Sequence, residues 1–475
     1  MTTIHILLWL ILIYYVCLHV IYFLLLLIGA SQQLRYHRGI TVGEFRRIAE
    51  SSLTMPVSVI VPAYNEAAII VGTVRSALDL NYPRHEVIVV SDGSIDGTVE
   101  ALVQAFNLRR VDKHGSKNIP TQEILGVYES PDQNLVVVNK KNGRRADAIN
   151  AAATFSRCPL LCIIDADCVL ESDALLYLAR PFLWNANVAA ATGIVRPSNG
   201  LTLRNGKIVR FGLPGTMLGM NQEIEYARSF VSVRIGLCAL RSMLSISGAL
   251  MMIKKTWFEE VGGSSPSAIT DDIEFTIRLN RRIYDRTRSE HAEIVFAPDA
   301  VCYTETPEHW RQYASQRNRW QRGTLQALLR NWKMFLNPRY GLTGLVGMPF
   351  FVVFEALSAV VEPVAWVLTV LTLVLGITTG REVLVLLYLA YILSAFLTLS
   401  MVVLTETTRL RAASWQDLRR ILQAIFLDNL GFHQFHLIAR VAGTVQYLVL
   451  GRRDLGAPMQ RVAPKPTPGD LQPVA

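Results

Sequence analysis

Apolar and polar positions divide the chain into three stretches with different periods. Over residues 4–30 the apolar residues run almost without a break, and only His5 and His19 interrupt them. At about 1.5 Å per residue, a helix of that length crosses a roughly 30 Å hydrocarbon core, so an N-terminal transmembrane helix is predicted over 4–30. The start, Met1-Thr2-Thr3, carries no basic residue, whereas Arg35, Arg38, Arg46 and Arg47 follow the apolar run. A cleaved signal peptide has the opposite polarity, and the positive-inside rule puts residue 35 onward in the cytoplasm.

From 47 to 338, short Val/Ile/Leu runs alternate with stretches of helical period. The runs 57–61, 87–90, 135–138 and 161–164 are nearly continuous in apolar residues, as expected for strands covered on both faces of a mainly parallel sheet. The predicted fold class is α/β, with this domain inserted between membrane helices. Beyond it, 341–380 is apolar but broken by Glu355, Glu362 and Pro363, which allows one tilted span or a kinked pair. Residues 383–404 form a clean span, and Arg409, Arg411, Arg419 and Arg420 place the following linker inside. Asp428, His433, His436 and Arg440 interrupt 421–450, so that stretch reads as interfacial, re-entrant or cavity-lining. The region 341–450 is therefore transmembrane and interfacial, and 451–475 is a proline-containing tail expected to be poorly ordered.

Composition agrees with a membrane assignment. Of 475 residues, 51% are hydrophobic and 18% charged, against about 25% charged in soluble chains. Six cysteines exclude a disulfide scaffold, and Cys158, Cys162 and Cys168 read as buried thiols of a reducing compartment. The net charge of +9 sits beside apolar spans, where basic residues mark an anionic membrane surface. No zinc-finger spacing accompanies it, so a nucleic-acid partner is not expected.

Ligand chemistry in parallel sheets gathers at the carboxyl ends of the strands, and the polar clusters stand there. The first run ends in Pro62-Ala63-Tyr64-Asn65-Glu66 and the second in Ser91-Asp92-Gly93-Ser94-Ile95-Asp96-Gly97-Thr98. Asp92 and Tyr64 can offer a carboxylate and a ring to a planar base, although the same letters read equally as a turn and a helix cap. The fourth run meets Asp165-Ala166-Asp167. Two carboxylates at i and i+2 of an extended segment face one way and suit Mg²⁺ or Mn²⁺; the plainer alternative is two solvated acids in a turn. In Thr270-Asp271-Asp272-Ile273-Glu274 a capping box would account for Asp271 and Glu274. Asp272 is left over, and a carboxylate there can serve as a general base. In Gln316-Arg317-Asn318-Arg319-Trp320, residues Gln316, Arg319 and Trp320 share one helix face. Arg and Trp also anchor helices at membrane surfaces, which suffices for Trp310 and Trp332 but not for Gln316. Glu355, Glu362, Asp428, His433 and His436 either line a polar path or hydrogen-bond helices to one another. His433-x-x-His436 reads as packing rather than metal ligation.

In this order the motifs resemble the membrane-embedded family 2 glycosyltransferases, which include cellulose, hyaluronan, chitin and poly-N-acetylglucosamine synthases. The likeness covers about residues 55–335. Asn221-Gln222-Glu223-Ile224-Glu225-Tyr226 and Ser247-Gly248-Ala249 look most like the bacterial poly-N-acetylglucosamine branch. The resemblance implies a GT-A fold with interfacial helices near 226–244 and 311–332, a UDP-sugar donor, and Mg²⁺ or Mn²⁺. Tyr64, Glu66 and Asp92 would hold uridine, Arg145 and Asp165 the nucleotide diphosphate, and Asp167 the metal. Asp272 would be the base, with Gln316, Arg319, Trp320, Ser247 and Gly248 gripping diphosphate and acceptor sugar. Arg145 stands where relatives commonly carry Lys, and Asp271 where Glu is usual. Residues 454–461 resemble a gating segment in which Leu455 replaces a common Trp. The implied activity is an inverting, processive polysaccharide synthase in the bacterial inner membrane. It would be multi-pass, with its catalytic domain cytoplasmic, and would act on a glycan acceptor beside the lipid bilayer. A small accessory membrane subunit is compatible with that. A non-processive transferase acting on a lipid or other small acceptor is the alternative. A transporter is a remote one, since it leaves the acidic motifs unexplained.

Overall fold

The computed structural model describes residues 2–38, 54–204, 206–286, 292–408 and 414–454. Arg46, Arg47, Arg409, Arg411, the 455–461 segment and the rest of the tail lie outside the described residues.

Among the described residues twelve strands are formed: β1 (Val57–Ala63), β2 (His85–Asp92), β3 (Arg109–Val111), β4 (Ile124–Glu129), β5 (Leu135–Lys140), β6 (Leu160–Ile163), β7 (Cys168–Leu170), β8 (Val188–Pro197), β9 (Thr202–Arg204), β10 (Lys207–Arg210), β11 (Met251–Lys254) and β12 (Glu293–Thr304). Ten make one sheet in the order β3-β4-β5-β2-β1-β6-β11-β8-β12-β7, while β9 and β10 pair separately as a hairpin. The four strands predicted from apolar runs sit side by side as β5-β2-β1-β6 and are mutually parallel. Every residue of β1 is buried, as double-sided burial requires. The sheet is nevertheless mixed: β11 runs antiparallel between β6 and β8, and the β8–β12 pair is parallel again.

The reversal at β11 matters for the site. Because β11 is antiparallel, its start at Met251 lies beside Ile163 at the carboxyl end of β6. Ser247 and Gly248, which precede β11, are thereby delivered to the edge where β1, β2, β5 and β6 end. The carboxyl end of β12 leads into the helix Trp310–Arg330, which carries Gln316, Arg319 and Trp320.

The N-terminal helix runs from Thr2 to Arg38. Among the described residues two helices, Ile4–Tyr36 and Gly380–Thr405, are long and apolar enough to cross a bilayer. Leu10, Val16, Leu384 and Tyr388 on them are exposed, as lipid-facing residues are. Residues 341–380 resolve into the kinked alternative, with Thr343–Ala356 and Ser358–Val374 meeting at 44°. The irregular stretch after 414 forms the helix Trp415–Leu427, a break at Leu430 and Gly431, and the helix His433–Leu448. Leu25 of the N-terminal helix joins the same buried cluster as the sheet, so this helix packs directly on the α/β domain.

Candidate active site

The carboxyl ends of the parallel strands open on one cavity of about 2330 Å³. Tyr64, Glu66, Asp92, Arg145, Asp165, Asp167, Ser247, Gly248, Asp272, Gln316, Arg319 and Trp320 all line it. Residues separated by more than 250 positions are thus brought to a common wall.

At the end of β2 the acidic loop divides into two jobs. Asp96 accepts from the Ala67 amide at 2.9 Å and from the Thr98 amide at 3.1 Å, and Asn65 accepts from the Ile95 amide at 2.9 Å. These bonds fix the loop and start the helix Thr98–Phe106, so the turn-and-cap reading holds for that half. Asp92 is different: its Oδ1 accepts from Lys140 Nζ at 2.6 Å and from the Gly143 amide at 2.9 Å. Gly93 permits this closeness. Its φ is +73°, and a Cβ there would lie 2.8 Å from the Asn142 amide nitrogen. Lys140 is fully buried and also reaches Asp147 at 2.5 Å. A buried ammonium between two carboxylates strongly resists loss of any partner.

Arg145 is the hub of the site. Its Nε donates to Asp165 Oδ1 at 2.7 Å, its Nη1 to Asp271, and its Nη2 to the Gly248 carbonyl at 2.8 Å. Burial disfavours its charge, but Asp165 and then Asp271 more than reverse this and hold the guanidinium firmly protonated. Asp271 and Glu274 do not form the expected capping box. The Asp271 carboxylate turns to Arg145, and Glu274 accepts from Arg278 Nε at 2.7 Å, an i,i+4 pair. A strong cation within reach of each acid outcompetes a local backbone bond.

Asp272, at the start of the helix Asp271–Arg286, accepts from the Ile273 amide at 2.8 Å and from the Gly248 amide at 3.3 Å. Burial, and then the neighbouring Asp271, push its carboxyl above the usual range, with Arg145 and Arg234 pulling the other way.

Asp165 and Asp167 stand in the turn after β6 rather than in an extended segment. With Cys168 they place ligand atoms within 4.8 Å of one another. Cys168 is buried, and burial raises its thiol well above the ordinary value, leaving it protonated and unsuited to a hard cation. The two carboxylates by themselves fit a hard divalent ion.

On the helix Trp310–Arg330, Arg317 is the supporting residue that the motif reading left without a role. It is buried, pairs with Glu225 at 2.6 Å, donates to Gln316, and stacks 4.4 Å from the Tyr313 ring and 4.1 Å from that of Trp320. It thereby fixes both Gln316 and Trp320. Arg319 forms no side-chain hydrogen bond or ion pair among the described residues. Burial lowers its pKa, while Asp272, Asp271 and Asp165 oppose that shift. Beyond Trp320 the cavity continues between the membrane helices past Glu355, Glu362, His433 and His436. These residues line it and also bond across helices: His433 to Glu362 at 2.8 Å, Tyr22 to Glu355 at 3.2 Å, His436 to Tyr313 at 2.7 Å, and Arg228 to Asp428 at 2.8 Å. The two histidines have separate partners and share no ligand position.

Residues 55–323 match the family described as "Glycosyltransferase like family 2". The chain belongs to this family. Residues 281–437 of the glycosyltransferase also match the chitin synthase family, and its sheet is of the GT-A type. A poly-beta-1,6-N-acetyl-D-glucosamine synthase of Staphylococcus epidermidis is 26% identical over 341 residues, 72% of this glycosyltransferase and 69% of that protein. The protein of the same name from Staphylococcus aureus (strain COL) is 26% identical over 275 residues, covering 58% and 56%. A solved mannosyltransferase from Pyrobaculum calidifontis in complex with GDP-Man and Mn²⁺ aligns with 87% of this chain and 99% of its own. Its TM-score is 0.49 and its identity 19%.

Proposed function

We propose that this glycosyltransferase is an inverting, processive synthase that extends a β-linked glycan from a UDP-sugar and passes the product outward. The observation carrying this reading is the continuity of one cavity, from Tyr64 and Asp92 at the strand ends, past Asp272 and Trp320, to Glu355, Glu362 and His433 between the membrane helices. A transferase acting on a small soluble acceptor has no use for that extension. The Staphylococcus relatives, named as poly-beta-1,6-N-acetyl-D-glucosamine synthases, support an N-acetylhexosamine donor.

In this reading Tyr64, Glu66 and Asp92 receive the uridine, with Lys140 holding one oxygen of Asp92 so that the other faces the base. Asp165 and Asp167 would hold Mg²⁺ or Mn²⁺, which when bound neutralises diphosphate charge. Arg319 faces the same charge, and Gln316 and Trp320 the sugars. The acceptor hydroxyl attacks the anomeric carbon, its proton passes to Asp272, and the bond to UDP breaks with its electron pair leaving on the diphosphate. One base and no enzymic nucleophile give a single displacement with inversion.

The arrangement supports a bacterial inner-membrane protein with its catalytic domain in the cytoplasm. The first helix enters, the bent pair leaves, and Gly380–Thr408 returns. The test is purified protein supplied separately with radiolabelled UDP-sugars and Mg²⁺ or Mn²⁺, followed by sizing and glycanase digestion of any product. A high-molecular-weight product from one donor is expected. Addition of a single sugar to a lipid would replace processivity with the non-processive alternative.

A further inference from the structure

The 44° bend between Thr343–Ala356 and Ser358–Val374 is made by side chains of two other helices. In an unbroken helix the Ala356 carbonyl accepts from the Val360 amide. Here the Val360 amide donates to the Leu357 carbonyl instead, at 2.8 Å, and side chains enter the ladder at the bend. Gln321 Nε2, from the helix Trp310–Arg330, donates to the Ala356 carbonyl at 3.1 Å. Arg440 Nη2, from the helix His433–Leu448, donates to the Glu355 carbonyl, which also accepts from Ser358 Oγ at 2.9 Å.

The same two side chains bond each other. Arg440 Nε donates to Gln321 Oε1 at 3.0 Å, and Gln321 Nε2 also reaches Thr444 Oγ1 at 3.1 Å. Gln321 is buried, and both polar atoms of its amide are engaged. Gly443 shows how closely the two helices meet at this height: a Cβ there would lie 2.8 Å from the Asn318 carbonyl oxygen and 3.2 Å from Gln321 Cβ. Gln321 directly follows Trp320, and both line the cavity together with Arg440, Glu355 and Ser358. One junction therefore joins the helix that carries Trp320, the bend at the head of the membrane passage, and the helix His433–Leu448. No motif marks it. Gln321 stands just outside the Gln316–Trp320 group, and Arg440 reads only as a polar interruption of an apolar stretch.

We propose that Gln321 and Arg440 are positioning residues that hold the mouth of the passage in register with the acceptor site beside Trp320. The inference rests on the processive reading above and adds what keeps a growing chain in place between additions. A glycan long enough to pass the bend is gripped on both sides of this junction, whereas a single sugar at Trp320 is not. Buried amide and guanidinium bonds suit the task, because they are directional and weaken steeply when the helices slide. A shift of about 1 Å is enough to misplace a bound chain end.

The test uses full-length protein in nanodiscs, labelled UDP-N-acetylglucosamine, and N-acetylglucosamine oligosaccharides of increasing length as primers. In the parent, the KM for primer should fall as primers lengthen into the passage. In Gln321→Leu that fall should flatten, and mean product length should drop about 10-fold, the hold of one or two buried hydrogen bonds. The monosaccharide KM, the donor KM and UDP affinity should stay within about twofold, which also shows that the variant is folded. Arg440→Lys gives the same comparison in milder form, since one ammonium cannot bond Gln321 and the Glu355 carbonyl together. The double variant should make product no shorter than Gln321→Leu alone, because both residues act through one junction. Unchanged product length in both single variants overturns the proposal, as does an additive double variant. So does product shortened only in proportion to a loss of kcat or UDP affinity, which marks a general loosening of the fold. A parent protein that adds one sugar and stops, or adds none, overturns the processive reading instead, and this inference with it.

Discussion

At the scale of single residues, the account turns on which charges face which. As the proposed base, Asp272 must be ionised to take a proton, yet burial and then Asp271 raise its pKa above the usual value. The active form is the deprotonated one, so transfer should increase with pH through this pKa. The acid limb of kcat against pH should therefore lie above the ordinary aspartate value of about 3.9; a limb at or below it contradicts the assignment. Asp272→Asn keeps the volume and removes the proton acceptor. We expect a loss of about 10²- to 10⁴-fold in kcat with UDP binding kept, measured by single-turnover transfer and by calorimetry. Arg145 offers a second check. Without it, Asp165, Asp271 and Asp272 lose their shared cation, so Arg145→Ala should weaken UDP binding about 10- to 100-fold. Arg145→Lys should fall between, because one ammonium cannot reproduce a fork that bonds Asp165, Asp271 and the Gly248 carbonyl together.

At the scale of elements, the site depends on how closely the helix Trp310–Arg330 approaches the segment before Asp271. Gly323 is the contact point: a Cβ there would lie 2.0 Å from Thr270 Oγ1. Gly323→Ala should therefore push apart the elements that carry Trp320 and Asp272. A cost of about 1–3 kcal/mol is expected, read as a lower thermal midpoint together with a fall in transfer. A variant as stable and active as the parent would show that the two elements are not held this tightly. The strands and the acidic motifs at their ends were legible from sequence, because double-sided burial leaves a continuous apolar run and a parallel sheet sends its loops to one edge. The supports were not. Lys140 closes a valine-rich strand and looks like a surface residue until β2 and the helix Arg144–Phe155 bring Asp92 and Asp147 to it. Glu225 and Arg317 stood inside motifs, but their pairing spans 92 residues. The capping box at Asp271 was misread because local spacing cannot register a cation arriving from Arg145, although the i,i+4 spacing of Glu274 and Arg278 could have signalled the pair that forms. The reversal of β11, which brings in Ser247 and Gly248, leaves no mark in apolar periodicity.

At the scale of the whole molecule, the sheet edge proposed to receive the nucleotide is joined to a polar seam between apolar helices. Polar side chains inside a membrane are expensive, and here Glu355, Glu362, Asp428, His433 and His436 occupy the continuation of a single cavity. If that seam is the exit for product, protein reconstituted in sealed vesicles with its catalytic domain outward should deposit polymer in the lumen, protected from added glycanase. Polymer digested as fully before as after detergent treatment would separate synthesis from transport.

The central claim is that acids and cations from distant parts of the chain form a single metal-assisted seat for a UDP-sugar. Calorimetric titration of UDP into the purified protein tests it most directly. Binding should require Mn²⁺ or Mg²⁺, weaken at least about 10-fold on chelation, and weaken similarly in Asp167→Ala. Equal affinity with and without the ion, in both parent and variant, would contradict it.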